Sequence, residues 1–533
     1  MITLKTISLF LALAMAFSSV NVAEAQTKKK AIPKSFQRKP APKVYSDSKN
    51  NNARNQIQSA ITQFKNGNYQ SAANTLYALT KRNDLLAERP QLRLYLGEAL
   101  MEMNLNQTAA FQFVDLIKSG DGRFTRQAIE KLLIVTDRLG DETLLNYAIQ
   151  RIDVSSVPNQ HREMLHYRLG EIKSANGEFS AAAQSFAKVG PQSRYYFNAL
   201  YELGLAQAEA KQPELAIGTF KKLLSVRDNA KVTDTNKVAA MMGIARSLYQ
   251  RKDFEGAIDM YSKIPRDHVM WHDAMFEKSW AMLRAARFRS ALSNFQSLHS
   301  SYYEDFFIPE SLLLRSIVYL YICKYDEIEK VLSLYEKQYG PVQSSIENFL
   351  RSNPASVSYY SEVEKAYIMR KEEDVVKKTT LPLKVVNKIS QEGNVRRSLA
   401  YIKKVVEERR LIEENPALRS SAVGQYALKI LNNRIKGAKD LTGDMVKAHL
   451  ENMNTELKDL QEQASLIRYE MINGKKETIK KRIAGKDLTD LQVDDKQDRS
   501  FYVQNGYEYY PFQGEYWLDE VGNYHYLGKQ SCE

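Results

Sequence analysis

The sequence predicts an all-α protein: an α-solenoid of stacked helix pairs, then long helices with a coiled-coil hairpin, then a small aromatic β-hairpin-like tail. Three observations predict it. A short turn-aromatic-x-x-Ala pattern recurs in phase through residues 53–340. An apolar heptad runs through 446–471. Residues 501–526 then hold ten aromatics and no Lys or Arg, an abrupt change of composition. Fourteen prolines in 533 residues, with 44% hydrophobic and 26% charged residues, fit an ordered, helix-rich chain.

The first 25 residues read as an export signal. Lys5 gives a weak positive start, residues 7–17 are apolar or small, and Ala23-Glu24-Ala25 offers a small-x-small cleavage site before Gln26. That apolar run is shorter than a membrane span needs, and no Cys follows it to carry a lipid. Residues 26–52 form a basic, Pro- and Lys-rich linker; 26–54 hold nine Lys or Arg against Asp47 alone. The segment therefore supplies +8 of the chain's net +13. Such a tether suits peripheral contact with an anionic membrane or cell wall, whereas nucleic acid is not an expected partner without interleaved basic and aromatic residues.

The repeats follow. Gly67-Asn68-Tyr69-Gln70-Ser71-Ala72, Gly177-Glu178-Phe179-Ser180-Ala181-Ala182, Lys252-Asp253-Phe254-Glu255-Gly256-Ala257 and Ala286-Arg287-Phe288-Arg289-Ser290-Ala291 share one plan. Extending it yields eight anchors: Ala72, Ala109, Leu145, Ala182, Ala216, Ala257, Ala291 and Ile328, spaced by 37, 36, 37, 34, 41, 34 and 37. Twelve residues before each stands a second, mostly small position: Ala60, Gly97, Leu133, Gly170, Gly204, Ala245, Ser279 and Ser316. Apolar residues four and seven after each motif's Ala, such as Phe186 and Val189, keep one helix face apolar. Small residues at both positions let paired helices approach. The third unit, with Leu at both, and the turn Lys211-Gln212-Pro213 depart from the plan.

Tyr95-Leu96-Gly97, Tyr167-Arg168-Leu169-Gly170 and Tyr201-Glu202-Leu203-Gly204 resemble the first-helix signature of tetratricopeptide-repeat (TPR) proteins, whose period is ~34 residues. The resemblance covers 53–340 and implies a right-handed superhelix, its concave wall built from the first helix of each repeat. It places Tyr167, Tyr201, Met242, Arg246, Tyr249, Phe276 and Trp280 in a partner-binding groove. Aromatic and Arg side chains are the usual anchors of protein interfaces.

Residues 341–485 are expected to form a helical arm with breaks near Pro382 and Pro416 and an end at Gly474 and Gly485. The heptad Leu450, Met453, Leu457, Leu460, Ala464, Ile467, Met471 has three possible partners: the helix around Leu399, Ile402 and Val405, a second copy, or a helical-domain core. Residues 486–533 comprise an acidic linker and the aromatic tail. Tyr509, Tyr510, Tyr516, Trp517, Tyr524 and Tyr526 make that tail a candidate interaction element. In an oxidising compartment Cys323 and Cys532 could pair. The run Gly514-Glu515-Tyr516-Trp517-Leu518-Asp519-Glu520-Val521-Gly522 behind such an array resembles exported TPR proteins of bacterial gliding motility and cell-envelope machines.

Catalytic patterns are missing. His268 and His272 stand i, i+4 on a repeat helix, a spacing able to hold a divalent metal, but no Glu lies between them in a zinc-protease pattern. Ser185-Phe186-Ala187-Lys188 matches a penicillin-recognising tetrad by chance, since Phe186 is needed as core. No catalytic residue, metal or cofactor is therefore expected. The sequence reads as a non-catalytic periplasmic scaffold binding protein subunits of an envelope complex. A periplasmic chaperone for outer-membrane proteins and, more remotely, a peptidoglycan-acting enzyme are the alternatives.

Overall fold

The computed structural model describes residues 47–119, 122–140, 143–144, 146, 159–225, 234–368, 378–483, 504 and 515–526. The chain divides into two units, 1–52 and 53–533. The export signal and nearly all of the basic linker lie outside the described residues. Helix pairs follow one another as expected. They are α1 (Asp47–Lys65) with α2 (Tyr69–Thr80) and α3 (Arg89–Glu102) with α4 (Asn106–Ser119). The third unit opens with α5 (Gly122–Leu139). Then come α6 (Asn159–Ala175) with α7 (Phe179–Phe186) and α8 (Tyr196–Glu209) with α9 (Pro213–Leu224). The array ends with α10 (Asp234–Gln250) and α11 (Phe254–Ser262), α12 (Trp271–Arg284) and α13 (Phe288–Leu298), α14 (Glu310–Tyr321) and α15 (Tyr325–Ser352).

The phase seen in the sequence is the phase of packing. Ala72, Ala109, Ala182, Ala216, Ala257, Ala291 and Ile328 are all fully buried, as are Ala60, Leu133, Ala245, Ser279 and Ser316; Leu145 lies outside the described residues. Where the first position is Gly, an aromatic from the second helix fills the vacated space: a Cβ on Gly97 would stand 2.5 Å from Phe113, and one on Gly170 2.5 Å from Phe186.

A second periodicity was not read from the sequence. The residue five before each anchor adopts positive φ in all eight units: Gly67, Asn104, Gly140, Gly177, Lys211, Lys252, Ala286 and Cys323. The next residue's N–H reaches back to the carbonyl five earlier, as in Asn68 to Gln63 (2.9 Å), Gln212 to Gln207 (2.9 Å) and Lys324 to Tyr319 (3.0 Å). This left-handed stop ends each first helix and aims the second one back along it. The turn at Lys211, irregular in sequence, is regular in backbone, with Pro213 as first residue of α9.

The arm consists of α16 (Ser356–Ile368), α17 (Leu383–Gln391), α18 (Gly393–Glu413), α19 (Pro416–Arg419) and the 62-residue α20 (Ala422–Ile483). Pro382 caps α17 and Pro416 opens α19, as expected. Two expectations need correction. The repeats do not end at 340: α15 runs through Gly340 and Pro341, because Ile328, Leu332, Tyr335, Tyr339, Val342, Ile346 and Phe349 keep one buried stripe. Nor does Gly474 end α20; it makes room for Tyr325, whose hydroxyl would lie 2.5 Å from a Cβ there.

At about 1.5 Å per residue α20 is roughly 90 Å long. Near its start Tyr426 packs on Tyr77 of α2 (4.9 Å) and accepts from Gln112 of α4 (2.8 Å). Near its end Arg468 reaches Glu329 and Glu336, and Lys475 reaches Asp326, all on α15. One helix thus ties the first two repeats to the last. The arm hairpin exists, with Ser398 on Thr442 (2.6 Å) and Arg434 on Tyr401 (3.2 Å). The heptad beyond it is buried within the chain instead, with α15 among its partners: Tyr335 donates to the Leu457 carbonyl (3.2 Å). Among the described residues there is no strand, so the expected β-hairpin-like tail is not formed at 515–526. Two of that segment's backbone donors go to serine side chains of α13 rather than to a partner strand. No helix among the described residues is long and apolar enough to cross a membrane.

Candidate interaction surfaces

The seven groove residues separate by depth. Met242 is fully buried and Tyr167 is 7% exposed, stacked on Tyr195 at 5.3 Å. Both pack between repeats and present no surface, which corrects their expected placement in the groove. Tyr201, Tyr249, Phe276 and Trp280 are half-buried on α8, α10 and α12. Arg246 makes a two-pronged pair with Glu277 (2.6 and 2.8 Å), while Tyr261 donates to the same carboxylate (2.8 Å). This bridge links α10 to α12 and holds the guanidinium still, with 49% of the side chain exposed. Tyr249 is braced edge-on against Phe254 (5.3 Å). Arg246 and Tyr249 are therefore held in place by their neighbours.

The arm and the first helices also border an open cleft of about 710 Å³. Its lining includes Glu171 and Glu202 from α6 and α8, and Arg397, Tyr401 and Arg434 from the arm. Glu171 is paired with Arg168 (2.7 Å). Burial raises the Glu202 carboxyl to about 7, helped by the Glu171 charge and opposed by Arg397.

Glu408 of α18 was not singled out from the sequence. Its carboxylate caps the N-terminus of α4 from 300 residues away, accepting from the Gln107 N–H (2.7 Å), the Thr108 N–H (3.0 Å) and the Thr108 hydroxyl (2.8 Å). Tyr401 adds a bond to Gln107 (2.8 Å) and Lys404 one to the Arg138 carbonyl (2.7 Å). Nothing in a run of alternating charges marks one Glu as a remote cap.

Residues 515–526 of the tail sit on the chain's own repeats. Tyr516, Tyr524 and Tyr526 are half-buried and Val521 is fully buried, whereas Trp517 is 47% exposed. Tyr509 and Tyr510 lie outside the described residues. Cys323 is disulfide-bonded; Cys532 lies outside the described residues. His272 is buried against Phe306 (4.1 Å) and held down to about 3 by desolvation, then by Lys388. His268 instead accepts from the Met270 N–H (3.1 Å). Among the described residues no three His, Cys, Asp or Glu are grouped to hold a metal.

Two tetratricopeptide repeat family models match, one over 57–123 and one over 198–229 and 239–268. No curated protein matches. Among solved structures, the C-terminal part of a TPR repeat-containing protein from Cytophaga hutchinsonii is 19% identical, covering 46% of this chain and 95% of its own, with a TM-score of 0.30. A tetratricopeptide repeat protein from Parabacteroides merdae is 14% identical over 54% of this chain and 93% of its own, TM-score 0.24. The apo form of RapI is 12% identical over 68% and 99%, TM-score 0.36. At such scores these structures carry no functional argument. The matched repeats and the shared phase define the class, an α-solenoid of TPR type. The chain carries tetratricopeptide repeats over the matched segments, and such arrays are protein–protein interaction scaffolds, typically non-catalytic.

Proposed function

We propose that this protein is an exported, periplasmic scaffold of a cell-envelope complex, gripping a peptide or helix of one partner along repeats five to seven. The observation that carries this reading is the row Tyr201, Arg246, Tyr249, Phe276 and Trp280 on three successive first helices, part-exposed, with Arg246 and Tyr249 held by their neighbours. Residues 1–25 support export, and the basic 26–52 segment suits an anionic membrane or cell-wall surface beside the partner. The tail motif's likeness to motility and envelope TPR proteins points the same way.

Tyr249→Ala with Trp280→Ala removes two anchors without touching a fully buried residue. The double variant is expected to keep its helicity and lose about tenfold or more of its partner in crosslinking and pull-down from the native envelope. Undiminished recovery of the same partner overturns the groove. A mature N-terminus at Gln26, read by mass spectrometry, tests the export half separately.

A further inference from the structure

Residues 515–526 lie on α12–α14 as a bound peptide would. Four hydrogen bonds to the repeats use tail backbone atoms. The Gly522 N–H donates to Ser297 Oγ (2.8 Å) and the Tyr526 N–H to Ser293 Oγ (2.7 Å). Arg266 donates to the Asp519 carbonyl (2.8 Å) and Tyr302 to that of Tyr516 (3.2 Å). A fifth, longer bond joins Gln296 to the Tyr516 hydroxyl (3.4 Å). Ser293 and Ser297 stand i, i+4 on α13 and so form one ladder along its face. The segment turns over Trp517–Asn523, where the Val521 N–H donates to the Trp517 carbonyl (3.2 Å) and the Asn523 N–H to that of Glu520 (2.8 Å), so the bonds to the repeats serve a segment that makes this turn.

Shape supplies the selectivity. Val521 is fully buried. Gly522 has φ +96°, and a Cβ there would lie 3.2 Å from the Trp271 indole. Tyr526 meets Tyr319 edge-on (6.5 Å). Residues 515–526 carry Glu515, Asp519 and Glu520 and no Lys or Arg, and they lie beside Arg266 and Arg315. Trp517 and Leu518 remain 47% and 57% exposed, so much of the segment is not built into a core.

We infer that this face of repeats seven and eight is a peptide-docking site, filled in cis by the tail, that takes an acidic, turn-forming segment of a partner protein with an aliphatic residue, a glycine and two aromatics in the spacing of Val521, Gly522, Tyr524 and Tyr526. Because the tail is tethered, its effective concentration is on the order of millimolar. A partner segment gains the site only by matching this pattern closely or when the tail is withdrawn. The site centres on the second helix α13, with Trp271 of α12 and Tyr319 of α14 at its edges, and uses none of Tyr201, Arg246, Tyr249, Phe276 and Trp280.

The test uses a fluorescent peptide of residues 515–526 and full-length protein. Val521→Glu and Gly522→Leu alter only the tail, so the repeats stay intact, and either change frees the site. Wild type is expected to bind the peptide weakly, each tail variant roughly tenfold or more tightly by anisotropy. Adding Ser293→Ala and Ser297→Ala to a tail variant should weaken capture severalfold. Peptide carrying Gly522→Leu should not bind. If both tail variants keep their circular dichroism and neither captures the peptide, the tail is a structural cap and the inference fails. A dimer of wild type by light scattering that dissociates on Val521→Glu also overturns it, by assigning the site to a second copy. Neither outcome bears on the Tyr249 and Trp280 groove.

Discussion

Phe220 lies between two glycines. A Cβ on Gly204 would stand 2.6 Å from its ring, and one on Gly243 2.5 Å. Two consecutive first helices therefore close on one aromatic, and neither glycine has room to change. Gly204→Val should cost about 1–3 kcal/mol as overpacking in a filled core, read as a lower urea midpoint with an unchanged slope. Wild-type stability in that variant would contradict the close packing. Gly204 was legible in the sequence because it occupies the register of Ala60 and Ala245; Gly243 was not, since it stands off that register. The left-handed turns show the same divide. Gly67, Gly140 and Gly177 announce theirs, whereas Lys211, Lys252, Ala286 and Cys323 adopt positive φ against their own preference. Only their constant distance from the anchors betrays them.

Among the elements, α18 depends on a residue that no pattern marks. Glu408 is 2% exposed and caps α4 with three hydrogen bonds. Glu408→Ala leaves two buried backbone N–H groups without an acceptor, which should cost about 2–4 kcal/mol. Hydrogen exchange should then quicken in 106–108 and in α18 while α10–α13 keep their protection; uniform exchange would show that the cap does not dock the arm. The heptad of α20 was legible as a buried face, since period reports burial. Its partners were not, because the stripe on α15 and that on α18 offer the same apolar spacing. Ion pairs flank the contact with α15, where Arg468 meets Glu329 and Glu336 and Lys458 meets Glu347. The groove was legible as a row of aromatics, but Met242 and Tyr167 show that residue type does not separate the wall from the packing behind it.

At the scale of the whole molecule, buried ionisable groups set a pH optimum. Glu202 and Glu310 on the repeats and Glu408 and Glu456 on the arm are each raised by burial from 4.5 to about 7. Glu456 adds to the shift of Glu310, Glu171 to that of Glu202; Arg397 opposes at Glu202, Lys388 at Glu456, and the α4 donors at Glu408. The folded chain thus holds protons the unfolded chain has released. Their stabilisation is complete below about pH 4.5 and lost as pH rises through 7. His272 and His299 act oppositely. Burial lowers both, with Lys388 beside His272 and Arg315 beside His299, so folding is favoured above about 6.5 and penalised as acid forces a proton onto them. The two sets together place maximum stability between about pH 4.5 and 6.5. Between pH 6.5 and 8 only the carboxylates still titrate, and stability should fall by about 1–3 kcal/mol, discounted because three of the four are partly solvated. Urea midpoints across pH 4.5–8.5 measure this directly, and His272→Phe should soften the acid limb alone. A stability that stays level or climbs from pH 6.5 to 8 would mean that water reaches these carboxylates, and that the arm rests on the repeats less closely than Glu408 and Glu456 require.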